Sequence, residues 1–253
     1  MIFPNRAEAG RQLAESLKKY AGRDDVIVLA APRGGVPVAF EVATRLGVPL
    51  DVFVMRKLGV PGHEELAFGA IASGGVRIVN RQTIEALGLT GLDIERVTRK
   101  EKLELERREI AYRAGRPPLD VRGLIVILVD DGIATGSSVR AAIRALRQRN
   151  PAVVVVATPV APVETCNRLG SEVDELVCLE TPEPFYGVGQ FYDDFSEVSD
   201  QEVTALLDRA WSRVQRNSAD APAPRGRGPA HTLPRVNGFL PAVASARRFN
   251  HAP

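Results

Sequence analysis

Short apolar runs alternate with amphipathic stretches along most of this sequence, the pattern of a protein that alternates strands and helices. The apolar runs lie at residues 26–31, 50–55, 124–129, 153–160 and 175–180. Runs of this kind are typical of parallel strands that are buried on both faces. Apolar residues recur at helical spacing in residues 6–20, 37–47, 137–149 and 200–215. The pattern therefore predicts an α/β fold, with a mostly parallel, twisted sheet flanked by helices.

Two further segments depart from this alternation. Residues 93–114 carry opposite charges four residues apart, Glu95 and Arg99 among them, and predict a long helix with a solvated face. Residues 67–72 and 76–80 are separated by a Ser-Gly-Gly turn and predict a β-hairpin.

Length and composition restrict the class of protein. With 253 residues, 45% of them hydrophobic, the chain can bury one sizeable core. No apolar run approaches the length that spans a bilayer, and residues 1–13 contain no apolar stretch of the signal-peptide type. Cys166 and Cys178 have neither metal-site nor redox-motif spacing. These features predict a cytoplasmic protein without a membrane segment.

Charge is distributed unevenly along the chain. The formal net charge is +2, but six arginines and only one acidic residue lie from residue 216 onward. The preceding part carries 27 basic and 30 acidic residues, so it is a poor surface for nucleic acid. We predict one domain over residues 1–215 and an irregular, solvated Pro/Arg-rich tail over residues 216–253, which could still attract polyanions weakly.

The most informative stretch is VILVDDGIATGSS, residues 126–138. Backbone N–H groups and hydroxyls at the start of a helix suit a phosphate dianion. Asp130 and Asp131 would repel that phosphate, so they suit sugar hydroxyls or a divalent cation. Helix capping alone explains Ser137 or Thr135, but it does not explain two acids at the end of a buried strand. A ribose 5-phosphate would suit both features, because its phosphate would bind at the start of the helix and its hydroxyls would bind the two acids.

This stretch resembles the signature with which type I phosphoribosyltransferases bind 5-phosphoribosyl-1-pyrophosphate (PRPP). By order of elements the resemblance covers about residues 1–215. It implies the fold of that family, Mg²⁺ as cofactor, transfer of the phosphoribosyl group to an acceptor, and a possible homodimer. It gives Asp130 and Asp131 a catalytic role as ligands of the ribose hydroxyls and the metal. The residues it assigns to the 5-phosphate are Ala134, Thr135, Gly136, Ser137 and Ser138.

Two departures from the family concern the acceptor. Ala134 stands where members that act on 6-oxopurines carry an aspartate, and Ala157-Thr158-Pro159 stands where they carry a lysine. The resemblance therefore argues against a 6-oxopurine. It leaves the acceptor unidentified, and a free nucleobase is only one candidate.

Two other loops extend the resemblance to the pyrophosphate. Arg33, Gly34 and Gly35 lie in APRGGVP, which is similar to the family's pyrophosphate loop, although a plain tight turn also uses two glycines. Arg56 and Lys57 end the second predicted strand and are predicted pyrophosphate ligands, Lys57 with a catalytic role. Residues 55–69 correspond to the family's flexible loop, where His63 is more simply a solvent-facing residue than a catalytic one.

Residues 181–199 resemble the family's hood, the segment that covers the acceptor base. Phe185 and Tyr186 would stack on a planar acceptor beside Val188, and Asp193 or the neighbouring Asp194 would bind Mg²⁺ or an amino group. The alternative is a small aromatic core beneath a loop.

Three functions are compatible with a ligand site of this kind. The first is a phosphoribosyltransferase that acts by positioning and charge stabilisation, without a nucleophile–base pair. The second is a regulator that senses PRPP without transferring its phosphoribosyl group. A dinucleotide-dependent oxidoreductase is disfavoured, because no GxGxxG opens the first predicted helix of the sheet.

Overall fold

The computed structural model describes residues 2–113, 115–116 and 119–219, except the side chains of residues 64, 65 and 217–219. From residue 220 onward, the predicted tail lies outside the described residues. Within the described ranges, no helix is both long and apolar enough to cross a membrane.

A five-stranded parallel sheet forms the centre of the described fold. Its strands are β1 (Val26–Ala30), β2 (Leu50–Val52), β6 (Ile125–Val129), β7 (Val153–Val160) and β8 (Glu175–Glu180). Their order is β2-β1-β6-β7-β8, and each neighbouring pair is parallel. Every residue of β1 and β6 is buried, as their uninterrupted apolar sequences predict. The predicted parallel sheet is therefore confirmed.

Helices cover both faces of this sheet. The helices are α1 (Arg6–Ser16), α2 (Gly35–Leu46), α3 (Arg81–Ala86), α4 (Gly91–Arg113), α5 (Ser137–Arg147), α6 (Val163–Gly170) and α7 (Asp200–Ala219). Alternate residues of β1 face opposite sides of the sheet. Val26 and Val28 pack on one side with α1, α2 and α7. Ile27 and Leu29 pack on the other side with α5. The sequence did not predict α3 or α6.

A second, antiparallel sheet replaces part of the predicted loop. It contains β3 (Met55–Val60), β4 (His63–Ala72) and β5 (Val76–Val79) in the order β3-β4-β5. The β4–β5 hairpin confirms the prediction for residues 67–80. However, the predicted strand 50–55 ends at Val52, and much of the stretch expected to be a loose loop is ordered as β3 and β4. Gly62 has φ +79°, which permits the tight turn between them.

The long charged helix is confirmed as α4. Leu105 and Tyr112 are its buried residues, and the Tyr112 hydroxyl donates to Asp200 Oδ1 at 2.6 Å. This contact ties α4 to the start of α7, while most of α4 faces solvent as its charge pattern predicts.

The fold brings two loops together at one edge of the central sheet. The β1–α2 loop and the β6–α5 loop both leave the carboxyl ends of their strands, and β1 and β6 are neighbours. In open α/β sheets this edge is where ligands bind. Arg33–Gly35 and Asp130–Ser138 are therefore adjacent in space, as the sequence analysis requires.

Candidate active site

The β1–α2 loop lies directly against the acidic end of β6. A Cβ atom at Gly34 would lie 2.1 Å from Asp131 Oδ2, and one at Gly35 would lie 2.8 Å from the Val129 carbonyl oxygen. The backbone of Gly34 is ordinary, with φ −59° and ψ −34°. Glycine is thus needed at both positions because the two loops approach closely, and not because of unusual dihedral angles.

Two cavities open on the two sides of this contact. The larger, of about 410 Å³, is lined by apolar residues of α5 and the second sheet and by six polar or charged residues: Lys57, Asn80, Asp130, Ser137, Ser138 and Arg144. The smaller, of about 370 Å³, is lined by Arg6, Arg33, Asp131, Phe195, Glu197 and Val198. Gly34 lines both cavities, so its backbone forms the wall between them.

The two adjacent acids do not face one common cavity. Asp130 lines the larger cavity and Asp131 the smaller one. The sequence analysis placed both carboxylates on one ribose diol, and the structure separates them. β6 ends at Val129 and the backbone bends at Asp131, and this bend accompanies the separation of the two side chains. Only Asp130 shares a cavity with Ser137 and Ser138, the two of the five predicted 5-phosphate residues that line it.

Asp131 is instead paired with a residue from the start of the chain. Arg6 Nε lies 2.7 Å from Asp131 Oδ2, and the two side chains are only 11% and 13% exposed. The Tyr192 hydroxyl donates to the Asp131 carbonyl oxygen at 2.5 Å. These contacts fix Asp131 between α1 and the hood. Sequence analysis missed Arg6, which belongs to no motif and lies 125 residues from its partner.

Asp130 is held in a different electrostatic environment. Its Oδ1 accepts a hydrogen bond of 2.9 Å from the Asp131 backbone N–H. Burial, followed by the charge of the adjacent Asp131, raises the pKa of Asp130 well above its usual range. A cation bound beside Asp130 would favour the ionised carboxylate. The environment of Asp130 is therefore suited to respond to a bound cation.

The loop before α5 has the geometry of an anion site. Gly136 has φ +74° and occupies the N-cap position of α5, where it offers no side-chain cap, and the Ser137 N–H makes a long contact of 3.4 Å with Thr135 Oγ1. Ser137 and Ser138 follow it and line the larger cavity. Thr165 of α6 anchors this loop, because its Oγ1 donates a hydrogen bond to the Ala134 carbonyl oxygen at 2.7 Å. Thr135 Oγ1 lies 3.2 Å from Ser137 Oγ.

Arg56 and Lys57 point to opposite faces of β3. Lys57 lines the larger cavity, whereas Arg56 forms an ion pair with Glu101 of α4 at 2.7 Å. Strand alternation is the cause, since successive side chains leave a strand on opposite sides. The structure thus brings Lys57, and not Arg56, to the predicted site. We therefore leave Arg56 out of the pyrophosphate ligands. His63 is exposed at the start of β4.

This difference predicts two separable mutant phenotypes. Arg56→Met should lower the free energy of unfolding by about 1–2 kcal/mol, because it leaves the Glu101 carboxylate without its partner at a partly buried position. Lys57→Met should weaken PRPP binding roughly fivefold, equivalent to about 1 kcal/mol of lost charge attraction. Urea unfolding and calorimetric titration with PRPP measure the two quantities. Equal effects of both variants on PRPP affinity would contradict the assignment.

The predicted acceptor residues do not line either cavity. Phe185 packs against Phe191, with ring centroids 5.2 Å apart, in a small core that also contains Phe3 and Tyr192. Tyr186 is 88% exposed. For Phe185 the alternative of a small aromatic core therefore describes the observed contact.

Val188 has a packing role in the same segment. A Cβ atom at Gly132 would lie 2.2 Å from Val188 Cγ1, so Val188 packs over the backbone of the acidic loop. It is Phe195, which sequence analysis did not select, that reaches a cavity. An aromatic-rich segment gives no local signal for which ring turns towards a ligand.

The predicted metal ligands are only partly brought together. Asp193 is exposed, and its backbone N–H donates to the Phe3 carbonyl oxygen. Within residues 2–113, 115–116 and 119–219, no three acidic, histidine or cysteine side chains converge on one point. Mg²⁺ commonly needs only one or two protein carboxylates when substrate phosphates and water complete its shell. Asp130, in the cavity that contains Ser137 and Lys57, fits that requirement, and Asp193 does not.

Comparison with known proteins shows which proteins this chain is similar to. The model of the phosphoribosyl transferase domain matches residues 2–195. A Mycobacterium tuberculosis protein named "Putative phosphoribosyl transferase Rv0571c" is 47% identical over 209 residues, which is 83% of this chain and 47% of the relative. The chain thus spans about half the length of that relative. The crystal structure of TT1426 from Thermus thermophilus is similar with a TM-score of 0.72 and 42% identity, over 82% of this chain and 98% of that one.

Proposed function

Because the chain belongs to the phosphoribosyl transferase family, we propose that it binds PRPP with Mg²⁺ and transfers the phosphoribosyl group to an acceptor, releasing pyrophosphate. The observation that carries this proposal is the larger cavity. It joins the uncapped start of α5, the Asp130 carboxylate and the Lys57 ammonium group in one space of about 410 Å³. A phosphate, a sugar hydroxyl and a second anion are the groups that these three features would bind.

Each part of PRPP has a counterpart in these residues. The amides at the start of α5 and the Ser137 and Ser138 hydroxyls would hold the 5-phosphate. Asp130 would accept hydrogen bonds from the ribose hydroxyls, and Lys57 would reach the pyrophosphate from the same cavity. Arg33 and the backbone of Gly34 would meet the pyrophosphate at the wall between the cavities. PRPP would then cross the Gly34 backbone, which offers no side chain to obstruct it.

Catalysis at this site would rest on positioning and charge. Displacement of pyrophosphate from C1 of the sugar develops positive charge on the ribose, and Asp130 lies where it can stabilise that charge. Ala67, Gly69 and Ala70 of β4 line the larger cavity, so the second sheet shields the reacting atoms from water. Asp130 would be the protein ligand of Mg²⁺, which supplies neutralisation of the leaving pyrophosphate when bound.

The proposal is tested by the substitution Asp130→Asn. The amide keeps the size of the side chain but cannot become a carboxylate, so we expect PRPP to bind at least tenfold more weakly, a loss of about 1.4 kcal/mol. Stability should be almost unchanged, because the amide oxygen can still accept the hydrogen bond from the Asp131 backbone N–H. Calorimetric titration with PRPP and Mg²⁺ measures the affinity. Unchanged affinity would remove Asp130 from the ribose and from the metal.

A second candidate, a regulator that binds PRPP without turnover, is favoured by one observation. Phe185, Tyr186 and Val188, the predicted acceptor residues, line neither cavity. Incubation with PRPP, Mg²⁺ and a panel of nucleobases separates the two functions. Pyrophosphate release that depends on one acceptor identifies an enzyme, whereas tight PRPP binding without release identifies a sensor.

A further inference from the structure

The larger cavity extends beyond the residues that the proposed PRPP site uses. It lies between α5 and one face of the second sheet. Lys57 of β3, Ala70 of β4 and Ile78 of β5 are cross-strand partners and all three line the cavity, so this face forms one wall. The opposite face of the same sheet turns towards α4, where Arg56 pairs with Glu101.

The wall that α5 forms changes character along the helix. Ser137 and Ser138 begin it, Ala141 and Ala142 follow one turn later, and Arg144 comes last. At a rise of 1.5 Å per residue, the backbone of Arg144 lies about 10 Å along the helix from that of Ser137. Much of the remaining lining is apolar, with Phe53, Met55, Ile78, Leu128 and Val139. The cavity thus joins a phosphate-type end to an apolar space and a second cation.

Arg144 differs from the neighbouring arginines of its helix. Arg140 pairs with Glu172 at 2.5 Å and Arg147 pairs with Asp174 at 2.9 Å. Among the residues that the structure describes, none forms an ion pair or a hydrogen bond with the Arg144 side chain. The planar guanidinium fork matches a carboxylate. Arg144 is therefore available to a ligand that enters the cavity.

The charges of the cavity favour a monoanion at this position. Lys57 and Arg144 are cations, and Asp130 is the only acid among the described residues that line the cavity. A phosphate dianion is better served by the backbone amides at the start of α5. A single guanidinium group beside apolar side chains is suited to a carboxylate that is attached to a hydrocarbon chain or ring.

We propose that the larger cavity binds an amphipathic carboxylate, with its charged group at Arg144 and its apolar part between α5 and the second sheet. This ligand would lie beside the 5-phosphate of PRPP. The site goes beyond the proposed function and stands without it, because neither Arg144 nor the apolar lining is needed to bind PRPP.

Straight-chain carboxylates test the apolar part of the site. In calorimetric titrations with butanoate, hexanoate and octanoate, without PRPP, the affinity should rise by up to about fourfold for each methylene group that is buried. Hexanamide has the chain of hexanoate without its charge, and it should bind roughly fivefold more weakly. No binding of octanoate, or an affinity that does not depend on chain length, would overturn the proposal.

Arg144→Met tests the charged part of the site. Methionine removes the guanidinium group and keeps an unbranched side chain that favours helix. Hexanoate should bind roughly fivefold more weakly to this variant, whereas the affinity for hexanamide should not change. Arg147→Met is the matched control, because Arg147 is an exposed arginine of the same helix and does not line the cavity. Equal hexanoate affinities of the two variants would contradict the assignment.

Ala141→Leu tests the position of the hydrocarbon chain. Ala141 is half-buried and lines the cavity, so a leucine side chain there would occupy the space between α5 and the second sheet. Octanoate should bind roughly tenfold more weakly, a loss of about 1.4 kcal/mol. Urea unfolding shows whether the variant is folded. An unchanged octanoate affinity in the folded variant would place the chain elsewhere and refute the site.

Ribose 5-phosphate separates this inference from the proposed function. It should bind at Ser137 and Ser138, so its affinity should be the same in Arg144→Met and the unmodified protein. If ribose 5-phosphate and PRPP fail to bind while hexanoate responds to Arg144→Met, the proposed function fails and the carboxylate site stands. If PRPP binds and hexanoate does not, only the carboxylate site is eliminated. Equal losses of ribose 5-phosphate and hexanoate in Arg144→Met would assign Arg144 to the PRPP site and overturn the inference.

Discussion

Replacing Arg6 with methionine is expected to lower the free energy of unfolding by about 3 kcal/mol, because it leaves the Asp131 carboxylate nearly buried without its cation. The same substitution removes the link to the Ser196 carbonyl oxygen and the stacking over Phe195. Urea unfolding measures the loss.

The control for this prediction lies on the same helix. Arg11 is exposed and pairs with Glu8 and Glu41, and it does not line the smaller cavity. Arg11→Met should change stability by no more than about 0.5 kcal/mol. Arg6→Lys keeps the charge but not the planar fork, so it should recover only part of the loss. If Arg6→Met behaved like Arg11→Met, the pairing with Asp131 would have no structural role.

The parts of the fold that the sequence predicts are those with strong local signals. The sequence of β6, IVILV, contains no polar residue, and all five residues are buried, as is typical of a strand in a parallel sheet. The order of acids, glycines and hydroxyls from Asp130 to Ser138 marks the end of that strand and the start of α5. Because few other structures are compatible with this pattern, the sequence predicts where the candidate site lies.

The errors concern side-chain direction and distant pairing. Residues 55–69 resemble the family's flexible loop, and Gly59, Pro61 and Gly62 favour a loose stretch, but the structure orders most of it as β3 and β4. Once β3 is known to be a strand, alternation alone separates Arg56 from Lys57. No rule of this kind predicts the pairing of Arg6 with Asp131, because the two residues are distant in sequence and only the packing of α1 brings them together.

The same distinction explains why the sequence does not reveal which aromatic ring of the hood lines a cavity. The hood contains three phenylalanines and two tyrosines within eleven residues, Phe185, Tyr186, Phe191, Tyr192 and Phe195, and the sequence alone does not rank them. Phe3, near the N-terminus, packs with Phe191 and Tyr192 of the hood in a small core, and this packing determines where those two rings lie. Phe195 remains at the cavity edge, where Arg6 covers its face.

Gly34→Ala is expected to damage both cavities at once. The backbone angles of Gly34 are favourable for alanine, so the obstacle is the Asp131 carboxylate 2.1 Å from the new methyl group. Because Arg6 holds that carboxylate in place, we expect overpacking to cost about 1–3 kcal/mol of stability. PRPP should bind at least tenfold more weakly, a loss of about 1.4 kcal/mol, because the wall shared by the cavities must move.

A double-mutant cycle isolates the cause of this loss. If the methyl group collides with the Asp131 carboxylate, Gly34→Ala should cost less stability in an Asp131→Ala background than in the unmodified protein. Gly170→Ala is the neutral comparison, since a Cβ at the end of α6 meets no atom within 4 Å. Additive losses across the cycle would place the collision elsewhere. A normal PRPP affinity in Gly34→Ala would mean that the ligand does not cross this wall, so that 5-phosphate and pyrophosphate both lie in the larger cavity.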